Sequence, residues 1–367
     1  MLVGNKTQHT AVKRSLVLAG GGMRVAYQAG VLLALEESGM QFTHVDGTSG
    51  GIFNAAMLAS GLDAKEIAER WRTLNMKHFV SGVKFRNYLR PFSMAGYADA
   101  DNIRHKVFPH LGIDPLTIRN NQAVNATFNV CNFSNKSVEA IQSSDILEDH
   151  LIAGVSLPIF MPALKIGNDW YTDAVWIKDA NLLEGVRQES QELWLIWAIG
   201  NPHTYLPGAF NQYVHMIEMS ANGALLEEYR TIDMINREII SGPSAWPQME
   251  AVKLFVIKSP DPLPLDPDLF FNKINTRELI NLGYEHAKEF LKLGPVPQMM
   301  DADATKSRDP GALFSFRATF TGMLLWDTVE TNVIFYTYYS FSLLNDEQVL
   351  TAVSSIFIDA LAQEIPG

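Results

Sequence analysis

A serine set between glycines at the end of an apolar run constrains this chain more than any other feature. In Val45-Asp46-Gly47-Thr48-Ser49-Gly50-Gly51 the serine stands in G-x-S-x-G spacing, and a helix-forming run follows. A serine at a tight strand-to-helix turn takes strained backbone angles, and side chains at its flanks would strike the adjacent strand and helix. Gly47 and Gly51 remove those collisions and leave the Ser49 hydroxyl exposed as a nucleophile.

A second glycine turn lies just upstream. Leu16-Val17-Leu18-Ala19 reads as a short buried strand running into Gly20-Gly21-Gly22-Met23-Arg24. The dinucleotide pattern G-x-G-x-x-G is not met, because its third glycine falls on Val25. No G-x-x-x-x-G-K-[ST] occurs either. What the turn offers is a row of backbone N–H groups at the start of a helix, donors for an anion. Beside a nucleophilic serine, that anion is the oxyanion of a tetrahedral intermediate. Arg24 adds a positive charge in the same first turn.

Further along, strand-like and helix-like segments alternate. Strands are expected at 15–19, 42–45, 123–131, 136–141, 193–199 and 252–257, and helices at 25–38, 50–60, 63–74, 145–153, 213–241 and 276–293. The order argues an α/β fold with a mostly parallel central sheet and helices on both faces. The expected organisation is an N-terminal tail over 1–14, a main domain over 15–298, a polar acidic linker over 299–311 and a small β-plus-helix appendage over 312–367.

Charge and composition narrow the function classes. The chain has 367 residues and a formal net charge of −11, which argues against a nucleic-acid partner. A local basic patch of Lys77, Lys84, Arg86 and Arg90, interleaved with Phe79, Phe85, Tyr88 and Phe92, is either a lipid-facing surface or an ordinary solvated face. Cys131 is the only cysteine, so no intramolecular disulfide and no all-cysteine metal site can form. The first fifteen residues lack the apolar core of a signal peptide, and the longest apolar run, Leu193 to Ile199, is far short of a membrane span. A cytoplasmic protein is expected, with peripheral membrane contact as the variant of that reading.

A serine needs a base. The histidine candidates are His203, His215 and His286, of which only His203 follows a strand-like run. The other option is a carboxylate. Asp173, in Trp170-Tyr171-Thr172-Asp173-Ala174, stands at a turn between apolar segments, and Asp179 lies six residues beyond it. His105 and His110, near Asp99 and Asp101, have the wrong spacing for a metal site on one helix face.

Four motifs in order decide between these options. Gly20-Gly21-Gly22-Met23-Arg24, Gly47-Thr48-Ser49-Gly50-Gly51, Ser156-Leu157-Pro158-Ile159-Phe160-Met161-Pro162 and Tyr171-Thr172-Asp173-Ala174 together resemble the patatin-like phospholipases. The resemblance is good over Ser15 to Val186 and looser to Leu293. It implies a Ser–Asp dyad without a catalytic histidine: Ser49 as nucleophile, Asp173 as base, and the backbone of Gly20, Gly21 and Gly22 as oxyanion hole with Arg24 in support. It also implies a lipid or ester substrate and no metal or organic cofactor. Two positions depart from the family pattern: Ala174 follows the aspartate, where the family normally has glycine, and Val25 follows the arginine, where it often does. Three functions are compatible with these residues. They are a lipid acyl hydrolase acting on phospholipids or lysophospholipids, a soluble carboxylesterase or thioesterase, and a scaffold that kept the fold.

Overall fold

Along the first strand, side chains alternate between two separate cores. Leu16 and Leu18 belong to one buried apolar cluster, Val17 and Ala19 to the other. A strand with both faces buried is the mark of a sheet covered on both sides. The computed structural model describes residues 12–82, 95–121, 125–199, 205, 207–242, 244–248, 250–264 and 275–295. The expected linker and appendage over 299–367, His203, and the Lys84, Arg86 and Arg90 part of the basic patch lie outside the described residues.

The strands are β1 (Arg14–Leu18), β2 (His44–Thr48), β3 (Ser81–Gly82), β4 (Ala98–Asp99), β5 (Asn125–Asn132), β6 (Ser137–Gln142), β7 (Leu164–Ile166), β8 (Asp169–Asp173), β9 (Glu192–Trp197) and β10 (Lys253–Lys258). Eight of them form one mixed sheet in the order β10-β9-β1-β2-β5-β8-β7, with β6 also paired to β5. The run from β10 to β5 is parallel; β6, β7 and β8 pair antiparallel. The fold is therefore the expected α/β arrangement, mostly parallel at its centre. Strands β3 and β4 make a separate antiparallel pair.

The helices are α1 (Ala26–Glu37), α2 (Gly51–Ala59), α3 (Ala64–Thr73), α4 (Phe108–Leu111), α5 (Pro115–Asn120), α6 (Glu148–Gly154), α7 (Leu182–Arg187), α8 (Ala209–Ser241) and α9 (Thr276–Lys292). Helices α1, α2, α3 and α9 share a core with Leu16, Leu18, Trp194 and Ile196, whereas α7 and the 221–239 part of α8 cover Val17, Leu193, Leu195 and Trp197. Local sequence explains the ends. Asp63 caps α3 by accepting from the Glu66 N–H at 2.8 Å, and Asn275 caps α9 by accepting from Glu278 N–H at 3.0 Å. Ala64, Ile67, Ala68 and Trp71 then fall on one buried face of α3 at helical spacing.

Two glycines let α1 and α9 touch backbone to backbone. A Cβ at Gly30 would stand 1.8 Å from the Ile280 carbonyl oxygen, and one at Gly283 would stand 2.0 Å from the Tyr27 carbonyl oxygen.

The chain divides into two compact units, residues 1–201 with 217–307, and residues 202–216 with 308–367. In the second, the Tyr205 ring stacks on His215 at 5.7 Å.

Candidate active site

Strand β5 works as a ruler. It pairs with β6 along one edge from Thr127 to Asn132, so β2 and β8 must share the other. On that edge Thr48 faces Asn129, and Asp173 faces the next residue, Val130. The parallel strand β2 ends where the antiparallel strand β8 ends, and the two chain ends meet head to head. Ser49 follows one and Asp173 closes the other. The sequence reading placed Asp173 at a turn; it is instead the last residue of a strand, because its N–H is taken by the Ser156 carbonyl at 3.1 Å and its neighbours are laddered to β5.

The two side chains are in direct contact. Ser49 Oγ donates to Asp173 Oδ2 at 2.7 Å, and the Val175 N–H donates to Oδ1 at 2.9 Å. Ser49 has φ of +50°, a left-handed angle that costs a non-glycine residue strain and marks functional turns. The glycines around it are required by space. A Cβ at Gly47 would lie 2.7 Å from Ala55 Cβ, one at Gly50 2.4 Å from Gly22 O, and one at Gly51 2.1 Å from Leu18 O. Ala174 is not among the residues with positive φ, and Val25 has φ of −64°. Neither position needs glycine here, so both departures from the family pattern fit the backbone.

Burial sets the electrostatics. Asp173 is 2 % exposed, and desolvation pushes its pKa up to about 7, against the opposing hydrogen bonds from Ser49 and Val175. A carboxyl titrating near neutrality can take a proton from a hydroxyl and return it.

The Gly20–Gly22 turn lies against this pair, as the Gly22–Gly50 approach shows. Gly21 and Gly22 have φ of +149° and +57°, angles open to glycine. Arg24 holds the turn from behind. Its backbone N–H and its Nε both donate to the Gly21 carbonyl, at 3.1 and 3.0 Å. In a trans peptide the N–H points opposite to the C=O, so this anchors the direction of the Gly22 N–H. Gly20 is different. Its N–H already donates to the Asp179 carbonyl at 3.1 Å, and the Ala19 carbonyl accepts from Gln28 Nε2 at 2.7 Å. The donors open to an incoming anion are thus Gly21 and Gly22, while Gly20 supplies closeness: a Cβ there would stand 2.9 Å from Ser49 Cβ.

A support layer went unseen in the sequence. Asn129 Nδ2 donates to Gly47 O at 3.2 Å, to Thr48 Oγ1 at 2.9 Å and to Asp46 Oδ1 at 2.6 Å, and its own Oδ1 accepts from Asn181 at 2.7 Å. Asn54 Nδ2 donates to Val25 O at 2.9 Å and to Gln28 Oε1 at 3.0 Å, tying α2 to the glycine turn. No spacing rule marks these residues. Their only signal is that each is a polar residue inside an apolar element.

Of the candidate histidines, His286 is engaged away from this pair. His286 Nδ1 meets Tyr27 OH at 3.2 Å, and the buried His44 bridges Ser15 and Thr127 at 2.9 Å on each side. Among the described residues no group of three His, Cys, Asp or Glu side chains is placed to hold a metal. No described helix is long and apolar enough to cross a membrane.

Residues 16–185 match the family described as Patatin-like phospholipase. The chain carries a patatin-like domain. No curated protein matches it. Among solved structures the chain is similar to VipD from Legionella pneumophila, with 14 % identity over 77 % of this chain and 67 % of that one and a TM-score of 0.41. It is also similar to the type III effector protein ExoU, with 12 % identity over 96 % of this chain and 66 % of that one at a TM-score of 0.36. A third likeness is to full-length ExoU with SpcU from Pseudomonas aeruginosa, with 14 % identity, 77 % and 52 % coverage, and a TM-score of 0.33. The chain thus spans about two thirds of the first two relatives' length and about half of the third.

Proposed function

We propose that this protein is a lipid acyl hydrolase that cleaves carboxylic esters of phospholipids or lysophospholipids through Ser49 and Asp173. The observation that carries the reading is the 2.7 Å hydrogen bond from a strained Ser49 to a buried carboxyl beside two open backbone N–H groups. Asp173 takes the proton as Ser49 Oγ bonds to the ester carbonyl carbon. The carbonyl oxygen becomes an oxyanion facing the Gly21 and Gly22 N–H groups. As the C–O bond to the alcohol breaks, Asp173 gives the proton to the leaving oxygen. Water then repeats both steps on the acyl-serine, releasing the acid and restoring Ser49.

The lipid preference rests on the family match and on what flanks the base. Exposed Ile159 lies three residues after Ser156, whose carbonyl holds the Asp173 N–H, and exposed Ile177 lies four residues after Asp173. Exposed apolar side chains this near the base in sequence suit an apolar acyl chain better than a small polar ester.

A fluorophosphonate probe tests the chemistry: it should label Ser49 in the wild type and leave Ser49→Ala unlabelled and inactive on a p-nitrophenyl ester. Turnover by Ser49→Ala at the wild-type rate sinks the assignment and leaves the scaffold reading. Comparing phospholipid vesicles with short-chain esters tests the substrate class. Hydrolysis confined to short-chain or thioesters would replace the lipid reading with a soluble esterase.

A further inference from the structure

A second buried carboxyl sits at the catalytic turn, and the mechanism above does not use it. Asp179 is 1 % exposed, and among the described residues neither of its side-chain oxygens has a hydrogen-bond partner. It is not remote from the chemistry. A Cβ at Gly20 would stand 2.1 Å from Asp179 Oδ1 and 2.9 Å from Ser49 Cβ, so the carboxyl, the glycine turn and the nucleophile crowd one point. The Asp179 backbone carbonyl also fixes the Gly20 N–H.

Two neighbouring carboxyls in a dry site do not both carry charge. The hydrogen bonds decide which one does. Asp173 accepts a donor on each oxygen, from Ser49 and from Val175, which favours its anion. Asp179 has no partner in hydrogen-bond geometry on either oxygen, and the nearby Gly20 N–H, engaged with the Asp179 carbonyl, only weakly opposes its acid form. Resting on the Ser49–Asp173 reading, we propose that Asp179 is a positioning residue, a buried carboxylic acid that must remain protonated during turnover and whose ionisation shuts the oxyanion turn down.

The charges facing it are few. Asp173, at the end of β8, repels a second negative charge, and Arg24, from the glycine turn, attracts one. Burial outweighs the arginine and pushes Asp179 up to about 8, above Asp173. An anion there would stand beside an oxyanion forming at Gly21 and Gly22, in a site too dry to screen it. At an effective dielectric near 20, like charges about 6 Å apart repel enough to slow the reaction by about a hundredfold. The wild type should therefore have a bell-shaped kcat/KM profile, its rise belonging to base formation at Asp173 and its fall to loss of the Asp179 proton. The two apparent pKa values are properties of the coupled pair.

Asp179→Asn keeps the shape and removes the ionisation. The variant should lose the alkaline fall, hold a plateau above pH 8, and lose less than about tenfold at the wild-type optimum. Infrared difference spectra at pH 6.5, wild type minus variant, should show a protonated carboxylic acid band. An alkaline fall unchanged in Asp179→Asn, or no acid band, overturns the proposal. So does a loss as deep as that of Asp173→Asn, which would make Asp179 the base. Fluorophosphonate labelling of Ser49 in the same variant keeps the outcomes separate: a labelled serine with an unchanged profile ends the Asp179 proposal and leaves the hydrolase reading standing.

Discussion

Ser49 and Asp173 are 124 positions apart in the chain and 2.7 Å apart in space, and one strand sets that distance. Because β2 and β8 lie along the same edge of β5 and meet at Asn129 and Val130, a shift of register in either would part them. Moving a strand by one residue also turns its side chains to the other face. The pair is thus a product of sheet register more than of loop placement.

Asp173→Asn keeps the volume and removes the proton acceptor. We expect kcat to fall about a thousandfold on a monomeric ester, within the range for a general base, with KM changed only a few-fold. A loss confined to KM would make Asp173 a binding group instead.

The acid limb follows from the burial of the same carboxyl. With its pKa raised to about 7, Asp173 is protonated and idle below that pH. Initial rates of kcat/KM should fall about tenfold per unit below pH 6. A limb near the pKa of an ordinary carboxylate, about 4, would contradict a buried base.

Stability should fall on the alkaline side. Asp46, Asp173 and Asp179 are raised to about 8, 7 and 8, each by burial first. The folded chain then holds protons that the unfolded chain releases near pH 4, so their contribution is full below about 4 and is lost as pH rises through 7 to 8. His44, pushed by burial to about 3, acts the other way between its unfolded pKa near 6.5 and 3. Between pH 6.5 and 8.5 the carboxyls act without that opposition. Calorimetry should show Tm dropping by several degrees over this window, and a smaller drop in Asp46→Asn.

Lys178 and Glu228 form an ion pair with little access to water. Lys178 Nζ also donates to Asn181 Oδ1 at 3.1 Å, and Glu228 Oε2 accepts from the Leu182 N–H at 2.6 Å. Lys178→Met leaves the glutamate buried without its cation and should cost about 3 kcal/mol in denaturant unfolding. Adding Glu228→Gln should restore part of it, since the stranded charge is gone. Equal losses in the single and double variants would show that the pair contributes through packing alone.

Gly30→Ala tests the contact of α1 with α9. With a backbone carbonyl 1.8 Å from the new methyl, the helices must part, at about 2 kcal/mol or more. Thermal melts at pH 6.5 should show the loss, and a neutral result would mean that the helices separate freely.

The motifs were legible in the sequence because each is a local solution to a local problem. Gly47, Gly50 and Gly51 stand where a Cβ strikes backbone or a neighbouring methyl, and a strand-to-helix turn announces that need within five residues. Parallel strands were legible for a similar reason: Leu193 to Ile196 is buried on both faces, which gives an unbroken apolar run. The sheet order was not legible, since hydrogen bonding between β1 and β9 leaves no trace in either strand. Nor was the antiparallel edge, which places Asp173 at a strand end. Gly30 and Gly283 lie inside helices, where glycine ordinarily costs stability, and only the packing shows why alanine would not serve. Asn129, Asn54 and Gln28 were unreadable because a buried amide has no periodicity.

Strand β1 is flanked by β2 on one side and by β9 on the other, and β9 begins at Glu192, past the end of the family-matched segment. A fragment cut at residue 185 would expose the unsatisfied edge of the strand that leads into the Gly20–Gly22 turn. It would also lose α9, the cover of α1. The ribosome faces the same constraint. The Gly20–Gly22 turn, Ser49 and Asp173 have all been synthesised by position 173, whereas β9, the partner of β1, follows only at Glu192. On the proposed mechanism, assembly of the site should therefore lag the synthesis of Ser49 and Asp173.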